Sequence, residues 1–503
     1  MGMRKRTWTL GGLFVLLLLG AYFVTRLYHL TLLPIFTDEA IYIRWSQIGS
    51  RDASWRFISL VDGKQPMFTW IMMVVLRFIK DPLTAGRLVS VGAGLLSMVG
   101  IWFLSFEVTH SKRVSFLTSF IYLVCPFTLM YDRLALYDSL VAAFSIWNLY
   151  MAILLVRYVR LDVALILGMT LGMGMLNKSS GFLSLYMLPG TLLLFDWKKK
   201  KIMSRLLQWI GLVLLSAFLS EVMYSVLRLS PLFNMVTAKD AVFVYSFKEW
   251  LSHPFNFLQG NMHGLLDWLI HYLTIPVFIT SFLPIVFFRK LTKEKILLYG
   301  WCYAPIVALA LFGRVLYPRF ILFMAMPLLV LVSIGLIELG KKIPQKIIML
   351  LLCVVVFGAS IWTDYYILTN PLKAPIPKAD SGQLLNDWPA GWGVREVNAF
   401  ITEHSKNSKI TIYTDGTFGL LPYAFEMYQL DNHNVTIKSI WPIPQIIPDA
   451  MVKDAAIHPT YMVFNQLQII PDWPISFISA YQKGTNSATK MRLYQINPAL
   501  IKK

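Results

Sequence analysis

Charge is scarce in this 503-residue chain. Only 15% of its residues are charged and 56% are hydrophobic, where a soluble domain carries roughly 25% charged residues. That composition excludes a string of ordinary soluble domains and favours a chain built largely in lipid. Acid is scarcer than base. The 27 Asp and Glu face 46 Lys and Arg, for a formal net charge of +19. In a soluble protein this excess points to nucleic acid. Here the basic residues cluster in short stretches between apolar runs, so no nucleic-acid partner is expected. Cysteine is nearly absent: Cys125, Cys302 and Cys353 all lie inside apolar segments. They make neither a disulfide framework nor a zinc set. No internal repeat or low-complexity tract stands out.

What the chain has in abundance is long apolar runs. They fall at 9–28, 84–106, 114–130, 138–156, 161–177, 180–196, 202–228, 268–288, 296–312, 319–339 and 347–367. A crossing helix needs about 20 residues, with a range of roughly 17–25. Eleven spans are expected, the first of them uncleaved because no small-residue cleavage site follows it. Positive charge tests the alternation. With Arg4, Lys5 and Arg6 inside, the inner loops carry Lys112-Arg113, Arg157 and Arg160, Lys198 to Lys201 with Arg205, then Arg289, Lys290, Lys293 and Lys295, and finally Lys341, Lys342 and Lys346. Every basic cluster of the connecting loops lands on one face. The expectation is a cytoplasmic N-terminus and an extracytoplasmic C-terminal region.

The opposite face then holds two long loops, 29–83 and 229–267, and the shorter turns 131–137, around 178, and 313–318. Loops of that length are seldom idle. Membrane and tail divide as 1–367, a Pro-rich linker at 368–392, and a soluble region at 393–503. In the last, Gly393 to Ser405 and Thr417 to Leu430 read as helices. Lys409 to Thr414, Val435 to Ile440, Tyr461 to Asn465 and Met491 to Ile496 read as strands. This is a small α/β domain.

Ionisable residues at the outer rim are functional suspects, because charge near lipid is costly. They are Asp38 and Glu39 after the first span, Lys64 in Asp62-Gly63-Lys64-Gln65-Pro66, Arg87, then Asp132, Arg133 and Asp138, Lys178, and Arg314, Tyr317 and Arg319. Plainer readings exist for each. Thr37 is a natural helix cap with acids in the first turn. Asp138 is placed to cap its helix, and Arg87 and Arg319 to snorkel toward headgroups. His253 and His263 lack the spacing of metal ligands. Taken together, the cations suit a lipid phosphate and a carboxylate suits proton abstraction from an acceptor hydroxyl. A sugar joined through that phosphate has a good leaving group once the phosphate charge is met.

Four stretches also resemble a known group. Asp38-Glu39 followed by Tyr42 resembles the acidic motif of the GT-C glycosyltransferases, in the protein O-mannosyltransferase and aminoarabinose transferase subset. Lys64-Gln65-Pro66-Met67-Phe68-Thr69-Trp70 is similar to that subset's Lys-Pro-Pro-Leu-x-x-Trp, departing at Gln65 and Met67. Arg133 with Asp138 resembles its Arg and Asp five residues apart. Tyr317-Pro318-Arg319-Phe320 resembles its late Arg-aromatic element. The likeness covers 1–367; the tail is loosely similar to the extracytoplasmic domains of some bacterial members.

The resemblance implies a polyprenyl-phosphate sugar as donor, an acceptor outside the cytoplasm, inversion at the anomeric carbon, and no metal or other cofactor. It implies Asp38 as catalytic base, with Glu39 and Asp138 beside it as catalytic carboxylates. Tyr42, Lys64, Arg87, Arg133, Tyr317 and Arg319 then bind substrate. The competing expectation is a lipid transporter or flippase that uses the same charged rim for headgroups. Transporters usually carry repeats and midplane charges, which this sequence does not display.

Overall fold

The computed structural model describes residues 2–287 and 290–497. Arg289 lies outside the described residues, as do the side chains of Arg4, Lys5 and Arg6. The chain is a helical membrane protein with a small sheet domain at its C-terminal end.

The apolar segments become helices of unequal kind. Among the described residues, six are long and apolar enough to cross: Pro82–Thr109, Tyr137–Tyr158, Ile202–Leu229, Thr292–Phe312, Pro318–Gly340 and Lys346–Thr369. Gly11–Leu27, Leu161–Asn177 and Ser179–Leu194 are shorter. The run at 268–288 belongs to a pair, Leu258–Leu273 and Ile275–Val286, bent by 102°. The bend sits at Thr274, with φ of 66°, and Pro276 opens the second arm. The run at 114–130 is likewise two helices, Lys112–Leu123 and Pro126–Tyr131. Pro126 has no N–H to continue the first and suits the opening of the second.

Pro318–Gly340 is the central post, buried nearly throughout, whereas Ile202–Leu229 and Lys346–Thr369 keep most of their apolar surface outside. Tyr137–Tyr158 runs from Asp138 in its first turn to Arg157 in its last. At the Arg157 end, that side chain pairs with Glu107 at 2.8 Å and Glu294 at 3.0 Å. The basic loops therefore meet at one end of the bundle, and Asp138 lies at the other.

Both long loops are folded. Loop 29–83 holds the helices Thr37–Arg51 and Met67–Val75 with a 3-10 turn at Ile58–Asp62 between them. Loop 229–267 holds Met235–Phe243 and Phe247–Ser252 and the start of Leu258–Leu273. The two loops meet at Gly63, where φ is +65° and a Cβ would lie 2.2 Å from the Met235 carbonyl oxygen. Glycine is required there twice over, by dihedral and by space.

Among the described residues, the C-terminal domain carries one five-stranded sheet: β1 (Ile410–Asp415), β2 (Val435–Ile440), β3 (Thr460–Phe464), β4 (Ile475–Lys483) and β5 (Asn486–Ile496), in the order β2-β1-β3-β5-β4. β1 runs parallel to β2 and β3, while β5 is antiparallel to β3 and β4. The helices are Val394–His404, Leu420–Glu426 and Asp449–Ile457. Residues 371–386 form short helical turns, and they bury Asp380 against the hydroxyls of Tyr131 and Tyr272.

Candidate active site

The first turn of Thr37–Arg51 sets the site. Asp38 and Tyr42 are four residues apart, one helical turn, and the Tyr42 hydroxyl donates to Asp38 Oδ2 at 3.2 Å. Thr37 is not the cap; Phe36 occupies that position, and its N–H donates to Glu39 Oε2 at 2.9 Å. Two cations converge on Asp38 from distant sequence. Arg319, at the start of the central post, lies 3.0 Å from Asp38 Oδ2. Lys64, just past the Gly63 turn, lies 3.9 Å from the same oxygen and donates to the Tyr42 hydroxyl at 2.5 Å. The Arg319 guanidinium is packed between the Tyr317 and Phe36 rings, at 4.7 and 5.5 Å from their centroids.

These groups open onto a cavity of about 640 Å³. Its polar end holds Asp38, Tyr42, Lys64, Asp138, Lys178 and Arg319. Much of its remaining wall is apolar, with Phe182, Phe243, Leu309, Phe312 and Phe323 among the lining residues, interrupted by Asn177, Lys239 and Asp240. Lys178 bridges to Asp138 at 2.6 Å, and its Nζ lies 4.5 Å from the centroid of the Phe320 ring. Lys239 reaches Asp62 at 2.6 Å and ties loop 229–267 to the Lys64 turn.

Burial pushes the Asp38 carboxyl up, but Lys64 and Arg319 outweigh it and hold the group below the usual carboxylate range. Burial pulls the Lys64 ammonium below that of an exposed lysine, with Asp38 and Asp62 opposing. The Tyr42 hydroxyl is pushed well up, by burial first and the Asp38 charge second. Asp38 is therefore an ionised carboxylate, an acceptor of protons held between donors.

Of the nine residues given catalytic or binding roles from sequence, five line this cavity: Asp38, Tyr42, Lys64, Asp138 and Arg319. The structure places the others elsewhere. Glu39 is fully buried and forms a two-pronged pair with Arg87, both contacts at 2.8 Å. Its oxygens also accept from the N–H of Phe36 and of Ala135. Arg87 spends its remaining donors on the carbonyls of Leu30, Leu33 and Pro34. Arg133 donates to the carbonyls of Thr25, Arg26 and His29, closing the end of the first helix. Tyr317 serves as the ring beneath Arg319. Glu39, Arg87, Arg133 and Tyr317 are thus supports around the cavity rather than part of its lining.

Lys178, Lys239 and Asp240 line the cavity too. The rim pattern named Lys178; nothing in the local sequence marks Lys239 and Asp240, which belong to a helix inside a long loop. Among the described residues, no three His, Cys, Asp or Glu side chains converge as a metal site.

Comparison with known proteins follows the same lines. Residues 63–224 match the family model for dolichyl-phosphate-mannose-protein mannosyltransferase. Two crystal structures of ArnT from Cupriavidus metallidurans superpose on nearly the whole chain. The apo form gives a TM-score of 0.60 at 14% identity, covering 99% of this chain and 100% of that one. The form bound to undecaprenyl phosphate gives 0.59 at 15% identity, with 99% of each chain covered. This chain has the GT-C fold. The match at 63–224 takes in Lys64, Asp138 and Lys178, while Asp38 and Arg319 lie outside it and line the same cavity. A search of curated proteins found no match.

Proposed function

We propose that the chain is an integral-membrane glycosyltransferase. It moves a sugar from a polyprenyl-phosphate donor to an acceptor on the extracytoplasmic side, with inversion. The observation that carries this reading is the contact of Asp38 with Arg319 and Lys64 in a cavity whose wall is otherwise largely apolar. An apolar wall suits a prenyl chain, and the cations suit its phosphate. The undecaprenyl phosphate bound to ArnT, on the same fold, supports a lipid-linked donor. The basic loops support a cytoplasmic N-terminus and an outward-facing cavity.

The chemistry follows from the charges. Arrival of a lipid phosphate draws Arg319 and Lys64 onto its oxygens. Asp38 then loses the partners that depress its basicity. An acceptor hydroxyl gives its proton to Asp38 as its oxygen bonds to the anomeric carbon. The bond from that carbon to the phosphate oxygen breaks, and the electron pair leaves with the lipid phosphate. Arg319, Lys64 and Lys178 meet the charge that grows there. One displacement at one carbon inverts it. The residues named supply both base and electrostatic stabilisation, and the reading assigns no cofactor.

The test is turnover in vesicles containing purified protein, polyprenyl-phosphate mannose and a membrane extract as acceptor. Release of free polyprenyl phosphate with mannose covalently bound to acceptor is the expected result. Movement of intact donor across the bilayer without bond cleavage is the outcome that selects the flippase reading instead.

A further inference from the structure

The C-terminal domain touches the Asp38 helix at two separate places. At the first turn, the Thr37 N–H and hydroxyl both donate to the Pro389 carbonyl, at 3.1 and 3.0 Å. Phe36 pairs with Ala390 in an isolated antiparallel bridge. Gly391 permits this approach: a Cβ there would lie 2.4 Å from the Ile35 carbonyl oxygen. The 388–390 segment is held in turn by the sheet. Lys483, fully buried at the end of β4, donates to the carbonyls of Trp388, at 3.2 Å, and Ala390. Asn465, after β3, donates to Trp388 at 3.1 Å.

The second fastening lies along the flank. Arg44 pairs with Glu426 at 2.7 Å, both largely shielded, and the Gln47 amide donates to the Met427 carbonyl at 2.9 Å. A third pair, Arg51 with Asp431, is exposed and contributes little. One helix thus offers Asp38 and Tyr42 to the cavity and Thr37, Arg44 and Gln47 to the domain.

We propose that the C-terminal domain sets where the Asp38 carboxylate stands, with Lys483 and Glu426 as positioning residues. The inference rests on the transferase reading above. Its physical content is a split between chemistry and binding. The phosphate grips Lys64, Lys178 and Arg319 lie off this helix, while the base lies on it. A shift of the helix by ~1 Å costs about a hundredfold in rate when it misplaces a reacting group, whereas the grips stand on other elements and lose only the contacts that Lys64 makes with Tyr42 and Arg319 with Asp38 and Phe36.

The test uses the full-length chain, with polyprenyl-phosphate mannose turnover in native membranes and undecaprenyl phosphate affinity measured on each variant. Arg44→Glu and Glu426→Arg are each expected to lower kcat about tenfold or more, with undecaprenyl phosphate affinity within twofold of wild type. The double reversal, Arg44→Glu with Glu426→Arg, is expected to restore kcat to within a few-fold. Lys483→Met keeps the aliphatic stem, loses the donors, and is expected to reproduce the single-variant effect. Because affinity is measured on the same samples, turnover is counted per folded molecule. Single variants with wild-type kcat per folded molecule overturn the proposal, as does a double reversal no better than either single. A wild type that cleaves no donor in this assay overturns the transferase reading and the inference with it, so the two failures are distinct.

Discussion

Arg319 lies 3.0 Å from Asp38, joining the start of the central membrane helix to the first turn of a helix 281 positions earlier in the chain. Local sequence supplies Asp38 with the Tyr42 hydroxyl and Arg319 with the Tyr317 ring, but gives neither an opposite charge. Each offsets the charge of the other, and under the proposed function a donor phosphate takes Arg319 away from Asp38.

Removal of either cation therefore acts on donor binding. Arg319→Ala and Lys64→Ala are each expected to weaken undecaprenyl phosphate binding about ten- to a hundredfold, the scale of a hydrogen bond to a charged group. Binding measured in detergent or nanodiscs checks this, with a thermal melt alongside. A collapse of the melt with no separate effect on binding would assign these residues to the fold instead.

Glu39 and Arg87 are expected to behave in the opposite way. Both are fully buried and bonded on every side. Breaking such a pair by removing one partner costs about 3–5 kcal/mol. Glu39→Gln or Arg87→Leu should lower the melting temperature steeply, while the surviving folded fraction keeps its affinity for undecaprenyl phosphate. A stable Glu39→Gln protein that binds donor but does not turn it over would return Glu39 to the catalytic set.

The pH dependence carries a sign. Lys64 and Arg319 depress the folded Asp38 below its unfolded value. Its contribution to stability is thus present above the unfolded value, about 3.9, and is lost as pH falls through the lower folded value. The acid limb of kcat/KM, which reports the free protein, is expected below that of an ordinary aspartate. Lys64→Met should move the limb upward. A limb that stays put in Lys64→Met contradicts the electrostatic coupling drawn between these two groups.

Sequence made the cavity's charged residues legible where they were concentrated. Asp38 with Tyr42, Lys64 after its glycine, and Asp138 at a helix start are local patterns, and Arg319 stands beside a telling aromatic pair. What sequence could not separate was Asp38 from Glu39. Neighbours on a helix point about 100° apart, so one carboxylate reaches the cavity and the other is locked to Arg87. Only the packing of Pro82–Thr109 against that helix decides which. Lys239 escaped for a different reason. Its partner Asp62 is 177 positions away, and the helix that carries it lies in a segment that looks like an unstructured loop.

The fold was legible in its apolar runs and less so in their breaks. Cys125-Pro126 and Thr274 interrupt stretches that are uniformly apolar, and apolarity alone does not register a change of direction. In the tail, β2 was readable from its own residues. β4 was not, because Ile478-Ser479 breaks its alternation where the register shifts, and its place comes from pairing with β5.

The most direct measurement is Asp38→Asn assayed twice, for transfer and for undecaprenyl phosphate binding. The amide keeps the shape and removes the base. Sugar transfer is expected to fall by about 10²–10⁴, the range a general base supplies, while lipid phosphate binds as well as before or better, one negative charge having left the cavity. Transfer at the wild-type rate in Asp38→Asn would contradict the account at its centre.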